Sequence, residues 1–440
     1  MKASRLFLVC IALLFMSPKL PIAALYVEED QFGFVLDLPV GWEEDDYEVD
    51  DLRVDGVGDN ETEADTRDFA AEYRFVRDDL DAHLFVAERD VLSPDALLDI
   101  GAELVEAEGN AAWFEYRDRD AFFADVTLGG ERSGYMVAIA LDDYSGVLFV
   151  SAPEDRRSEA EGELLSVADA FGPVAPYRGP VTVFFEDDGS SNESVELHFP
   201  GPSARGAAGA GSVELSYSPM AVESGAIIVG REAEILAEYE HNEHSGGNGS
   251  ELLLESADDP EWLRSWRRYF RLLYRESYER LSGLADDIEA YMSAHSVPDE
   301  NKADLILSWL QAFEFRQSPN PGLFQPPVES LTTVSGDCDS LALIYTILLS
   351  HFDIDSRILV SVEHAHAVAL VDASQASEGE GHVRGRAQGV QTDGSTESNR
   401  FEIDGQEFLP AEMTASWPLS VMASEQTEAG DWHLVTPHRP

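Results

Sequence analysis

Ser335-Gly336-Asp337-Cys338-Asp339-Ser340 runs without a break into Leu341-Ala342-Leu343-Ile344-Tyr345-Thr346-Ile347-Leu348-Leu349. Wound as a helix, that stretch is apolar on every side, and a helix apolar all round is one enclosed by a core. Asp337 suits the N-cap position, where a short acidic side chain accepts the free N–H groups of the first turn, and Asp339 suits the positive end of the helix. Cys338 then stands where the helix dipole favours a thiolate and lowers its pKa, and where the same N–H groups can receive a developing oxyanion. A nucleophile so placed still needs a base.

Candidates for the base follow a β-like stretch at 357–362, in His364-Ala365-His366-Ala367-Val368-Ala369-Leu370-Val371-Asp372. Two histidines at i and i+2 share one face of a strand. His366 opens an uninterrupted apolar run, which puts it at the rim of a sheet beside the helix start, and His364 falls in the preceding turn. Beyond a Gly/Ser/Glu-rich loop at 374–399, strands at 401–403 and 407–409 turn at Asp404-Gly405 and lead into Glu412-Met413-Thr414. Glu412 can hold the far nitrogen of an imidazole. Asp372 is the poorer orienter, because six residues along a strand place it roughly 20 Å from His366.

Residues 300–423 thereby resemble the transglutaminase-like superfamily, including its bacterial periplasmic cysteine proteinases. The resemblance is carried by Pro327-Val328-Glu329-Ser330-Leu331, Gly336-Asp337-Cys338-Asp339, His366-Ala367 and the acid-x-Thr of Glu412 and Thr414. It implies a papain/transglutaminase-like core with Cys338 as nucleophile, His366 as base and Glu412 as orienter, acting on a protein or peptide substrate. It requires no cofactor, although Asp337 and Asp339 flank the nucleophile as acids do in calcium-dependent members. The sequence departs from the family in having Val368 where an aromatic often follows His-Ala, Glu412 where Asp is usual, and a long loop before that acid. Acyl transfer to an amine, and a non-catalytic envelope binding protein on the same fold, are the alternatives. A zinc set of Cys338, His364 and His366 with His382 or Glu363 is a rival, but His364 and His366 are too close in strand geometry for the usual helical pair.

Upstream, Trp262, Trp266, Tyr269, Phe270, Leu273, Tyr274, Tyr278, Leu281, Leu284, Ile288 and Tyr291 recur at helical spacing, as the core face of one long helix. A second helix at 300–316 ends in a proline-rich loop at 318–327, so residues 256–440 read as a helical lead-in and the site-bearing domain. Residues 176–255 read as a small β subdomain and linker. Its strands fall at 181–185, 195–199, 213–217 and 226–229, and His241 and His244 lie in a linker short of a metal set.

Residues 25–175 alternate as a strand at 34–38, half-buried by pattern, then strands near 73–76 and 84–86 and a helix from Ser93 to Gly109. Strands at 112–116, 122–128, 135–141 and 147–151 follow, and a helix at 159–171 closes the unit. This order and the stretch from Gly33 to Trp42 resemble the PsbP-like fold. The class is therefore α+β: an N-terminal antiparallel sheet with flanking helices, a small β region, and the C-terminal core. His83 is a lone histidine at a strand edge, and no catalytic pairing accompanies it.

At the start of the chain, Lys2 and Arg5 precede an apolar run at 6–15, and Ala23 and Ala24 follow. That is the pattern of a signal peptide over 1–24, which implies a periplasmic or secreted protein without a membrane span in the mature chain. Cys10 leaves with it, so Cys338 remains as a solitary thiol and no intrachain disulfide forms. The formal charge of −56 becomes −59 once the three basic residues of 1–24 are lost. Acids spread over every segment, with three lysines in all, describe a halophile's solvated surface, and no basic stripe exists to engage nucleic acid. Oligomeric state leaves no signature in the sequence.

Overall fold

The computed structural model describes residues 26–39, 41–45, 70–88, 105–107, 112–128, 132–173, 178–186, 193–199, 211–217, 261–316, 325–376, 396–427 and 432–435. Residues 1–24, read as a signal peptide, most of the expected 93–109 helix, the expected 226–229 strand, His241, His244 and His382 lie outside them. Within them the chain is a mixed α/β protein with several antiparallel sheets.

The first unit holds β1 (Tyr26–Glu29), β2 (Phe34–Asp37), β3 (Glu43–Glu44), β4 (Ala71–Arg77), β5 (Leu80–Glu88), β6 (Val105–Ala107), β7 (Ala112–Glu115), β8 (Asp120–Leu128), β9 (Arg132–Ala140), β10 (Tyr144–Pro153) and, after helix α1 (Arg157–Asp169), β11 (Phe171–Pro173). An eight-stranded sheet runs β3-β4-β5-β10-β9-β8-β6 with β7 also on β8, and a three-stranded sheet runs β1-β2-β11. Their facing sides and α1 enclose Phe34, Leu36, Trp42, Phe75, Phe123, Leu164 and Phe171. Three expectations are corrected. Val105 pairs with Leu128 in β6 and is not helical, because the free edge of β8 captures it. Residues 181–185 lie in a helix, α2 (Pro180–Glu186), despite their β-branched composition. Pro180 suits a first turn, Asp169 takes the Thr182 N–H at 2.7 Å, and Phe184 packs on Phe123. Gly179 is needed at that junction, since a Cβ there would overlap Asp169 O at 2.0 Å. Finally, β2 is buried on both faces and not half-buried, Asp37 included.

The rest comprises β12 (Glu193–Phe199), β13 (Gly211–Tyr217), helices α3 (Glu261–Tyr278), α4 (Ser282–Ala294) and α5 (Asp299–Leu310), β14 (Glu314–Phe315), α6 (Pro327–Thr333), β15 (Ser335–Gly336) and α7 (Cys338–His351). The remaining strands are β16 (Ser356–Ser361), β17 (His366–Asp372), β18 (Thr396–Ser398), β19 (Phe401–Ile403), β20 (Gln406–Ala411), β21 (Val421–Ala423) and β22 (His433–Val435). The expected single long helix is broken by a 3-10 turn at Glu279–Leu281, and the 300–316 helix ends earlier, at Leu310, before the chain enters β14. The β12–β13 hairpin has no separate core among the described residues: Leu197, Phe199, Val213 and Leu215 share one with α3, α4, α5 and α7. Around α7 the five-stranded sheet β19-β20-β17-β16-β22 offers Ala367, Ala369, Val371, Leu409 and Ala411 to the helix. Its other face carries Val368, Leu370, Phe408 and Trp432.

Helix α3 joins the two units through arginines. Arg271 grips the Asp37 carboxylate with two bonds, at 2.8 and 2.9 Å, and Arg268, 0% exposed, donates to Asp37 O and Ser166 Oγ. Desolvation works against ionised Asp37, yet Arg271, then Arg268 and Arg275, hold its carboxyl below the usual range. One turn before Arg271 on the same helix, Arg267 donates to Leu434 O of β22 at 3.0 Å. A buried charge is tolerated only where it is paired and hydrogen-bonded, and α3 meets that condition from both sheets at once.

Candidate active site

Cys338 opens α7 as its sequence indicated. Asp337, extended at φ −93° and ψ −176°, caps the helix by accepting from Ser340 N at 2.9 Å and Ser340 Oγ at 2.6 Å. The approach is tightly set. Val334 ends α6 in the left-handed region at φ 51°, and β15 pairs in parallel with β14. A Cβ on Gly336 would come within 3.1 Å of the Leu341 side chain, so any larger residue there would have to push that side chain aside. Val334 and, in the turn before His366, Val362 are the exposed apolar side chains beside these two segments.

His366 is the first residue of β17, at the rim of the sheet. Its Nε2 bonds Glu412 Oε2 at 2.6 Å, and Glu412 Oε1 accepts from Thr414 N at 2.7 Å and Thr414 Oγ1 at 2.6 Å. Register explains the meeting: β17 pairs with β20 as Ala369 with Ala411, so Glu412, one residue past β20, falls beside the start of β17. With Nε2–H committed to Glu412, Nδ1 is the nitrogen left as acceptor. Trp432, buried, packs against both histidines, with ring centroids 5.7 Å from His364 and 6.3 Å from His366. Its own Nε1 donates to Gln426 O at 2.9 Å. No sequence signal marked Trp432, because β22 contributes three paired residues far from any motif.

The electrostatics of the pair and of the thiol run in opposite directions. Burial alone would lower His366, but Glu412 and, more weakly, Asp339 hold it above its ordinary value. Burial likewise opposes the Glu412 charge, and His366 with Thr414 keeps that carboxyl below the usual range. Cys338 differs from expectation. Burial first, then Asp339 and Asp337, push the thiol well above its ordinary pKa, and the Ala367 N–H is the group that opposes them. The thiol donates to Asp339 Oδ2 at 3.3 Å, and no hydrogen bond joins it to His366 among the described residues. Burial and Asp337 in turn raise the Asp339 carboxyl to about 7. Desolvation and the two carboxylates thus favour the neutral thiol here.

The structure separates the remaining candidates. His364 sits in the turn before β17, its backbone N–H donating to Ser361 Oγ at 3.2 Å. Asp372 ends β17 and accepts from Ser374 N and Oγ at 2.8 and 2.9 Å. No group of three or more His, Cys, Asp or Glu among the described residues is arranged to hold a metal ion. For the rival zinc set, His366 is committed to Glu412 and His382 lies outside the described residues. For calcium, Asp337 serves as the cap and Asp339 as the thiol's acceptor. No described helix is long and apolar enough to cross a membrane.

No family model matches the chain, and no curated protein matches it. Among solved structures, cyanobacterial PsbP from Synechocystis is similar at a TM-score of 0.25 and 15% identity, over 34% of this chain and 91% of that one. A protein of Bacteroides thetaiotaomicron is similar at a TM-score of 0.20 and 9% identity, over 77% of this chain and 83% of that one. A suspected protease of Parabacteroides distasonis is similar at a TM-score of 0.22 and 8% identity, over 80% of this chain and 69% of that one.

Proposed function

We propose that the protein is a transglutaminase-like cysteine hydrolase that cleaves amide bonds of a protein or peptide, using Cys338, His366 and Glu412 on a papain/transglutaminase-like core. The observation that carries this reading is the His366–Glu412–Thr414 bonding, which fixes one imidazole tautomer at the sheet rim beside the start of α7. An acid that orients an imidazole is the arrangement by which a general base is held ready for a nucleophile.

In this mechanism His366 Nδ1 takes the Cys338 proton, and Glu412 stabilises the imidazolium through Nε2–H. The thiolate adds to the amide carbonyl, and N–H groups at the start of α7 receive the oxyanion. Collapse expels the amine, which takes the proton back from His366 and leaves a thioester on Sγ. Water, deprotonated by His366, then adds to the thioester carbonyl and releases the acid and the thiol. Substrate has to displace the thiol from Asp339 before the first step, and catalytic hydrogen bonds commonly tighten only in the bound complex.

A second reading, a non-catalytic binding protein on the same scaffold, is favoured by the neutral, nearly closed-off thiol, 8% exposed. An electrophilic amide-mimicking probe decides between them. Labelling of the native chain but not of Cys338→Ala supports the hydrolase, and an unlabelled native chain supports the binding protein.

A further inference from the structure

Gln311, the C-cap residue just after α5, reaches from the helical lead-in to the strand side of the site. Its Nε2 donates to Glu412 O and to Trp417 O, both at 2.8 Å, across 101 and 106 residues of chain. Both amide hydrogens are thereby used, and they close the two ends of the 412–417 segment onto one point. Within that segment Met413, Ala415 and Trp417 are buried, so it has little freedom to settle elsewhere. Glu412 is the first residue of the clamped segment, and its side chain has only its own χ angles with which to reach His366 Nε2 at 2.6 Å.

We infer that Gln311 is a positioning residue of the Glu412–His366 pair: it touches neither the thiol nor a substrate, and acts by fixing the backbone from which Glu412 is aimed. This inference rests on the hydrolase reading above for its functional meaning, and on the two bonds for its physical content. A side-chain amide places two donors on one uncharged nitrogen, so it can serve both carbonyls without bringing a charge into the segment. A carboxylate would set oxygen against both carbonyls, and an apolar chain of the same length would leave both carbonyls without a donor. Loss of the clamp lets Glu412 drift, and a misplacement of about 1 Å can cost about 10²-fold in rate.

The test uses the full chain with Gln311→Met, Glu412→Gln and the double variant. The His366 imidazole is titrated by NMR with carbon-labelled histidine and assigned by His366→Gln, a measurement that needs no activity. Gln311→Met should lower the His366 pKa toward that of Glu412→Gln, and the double variant should match Glu412→Gln alone. Labelling of Cys338 by the amide-mimicking probe should slow by up to about 100-fold in Gln311→Met, with no further loss in the double variant. An unchanged His366 titration, or effects that add in the double variant, overturns the inference. If native Cys338 does not label at all, the hydrolase reading fails, and the titration still decides whether Gln311 positions the pair. Should Gln311→Met not fold, Gln311→Asn, which keeps the amide but is one methylene short, takes its place in the same titration.

Discussion

Replacing Glu412 by glutamine changes no heavy-atom outline, yet it cannot satisfy the three donors that converge on this side chain. Oε2 faces His366 Nε2 at 2.6 Å, and Oε1 faces Thr414 N and Oγ1 at 2.7 and 2.6 Å. A glutamine has one oxygen to offer. Turned toward His366, it leaves its NH2 against the Thr414 N–H, a buried donor–donor conflict of about 1–3 kcal/mol. Turned toward Thr414, it presents NH2 to His366 Nε2 and selects the tautomer with the proton on Nδ1, which removes the base's lone pair. Either way the charge-assisted bond is lost, at about 1.5–3 kcal/mol. At 1.36 kcal/mol per decade this is roughly a 10- to 150-fold fall in kcat/KM. The sign of the pH effect follows from the pair. Glu412 holds His366 above its ordinary value, so its removal moves the imidazole's titration to lower pH. A stopped assay on a peptide amide across pH 5–9, beside Cys338→Ala, reads both quantities. A variant as fast as the native chain with an unmoved profile would refute the orienting role. A variant as dead as Cys338→Ala would show that Glu412 does more than orient.

Asp37→Asn should cost about 3–5 kcal/mol, because Arg268 and Arg271 keep their buried charge without its counterpart; denaturant unfolding checks this, and the loss should persist in molar salt. The pH linkage of that pair runs one way: Asp37 is held low, so its stabilisation is full above the unfolded carboxylate range and disappears as pH falls through the lowered folded value. The acidic surface should respond oppositely to salt, with a melting temperature that rises from dilute buffer to about 1 M, where the Debye length is ~3 Å, and a flat or falling curve counts against the acidic-surface reading. Iodoacetamide should modify native Cys338 slowly at neutral pH and faster in Asp339→Asn, which removes the second largest cause of the raised thiol. His366→Ala should abolish turnover as fully as Cys338→Ala while His364→Ala is mild, and the reverse order in steady-state assays would move the base to His364.

Local signals in the sequence were followed most faithfully where they were redundant. Asp337, Cys338 and the all-apolar run after them specify a cap, a helix and its burial together, and α7 appears as read. The rim position of His366 and its partner Glu412 followed from pattern and resemblance, and register between β17 and β20 supplies the physical link. Elsewhere tertiary context prevailed. Val181 and Phe184 are strand formers, yet Asp169 and the sheet beneath them make a helix of 180–186. The thiol's raised pKa depends on how closely Asp339 and a packed core surround it, and no spacing rule reports desolvation. Trp432 and Gln311 are lone residues without a periodic or motif context, so their place behind the pair becomes visible only in three dimensions.

The arginine junction on α3 also sets a timetable for making the protein. Asp37 and Arg271 are separated by 234 residues. At a synthesis rate of about 5–20 residues per second, Asp37 leaves the ribosome roughly 10 to 50 s before its partner exists. Through that interval the first sheet holds a carboxylate that belongs in its interior but has no counter-charge there. The strand Phe34–Asp37 therefore gains the counter-charge of its buried carboxylate only once α3 has been made.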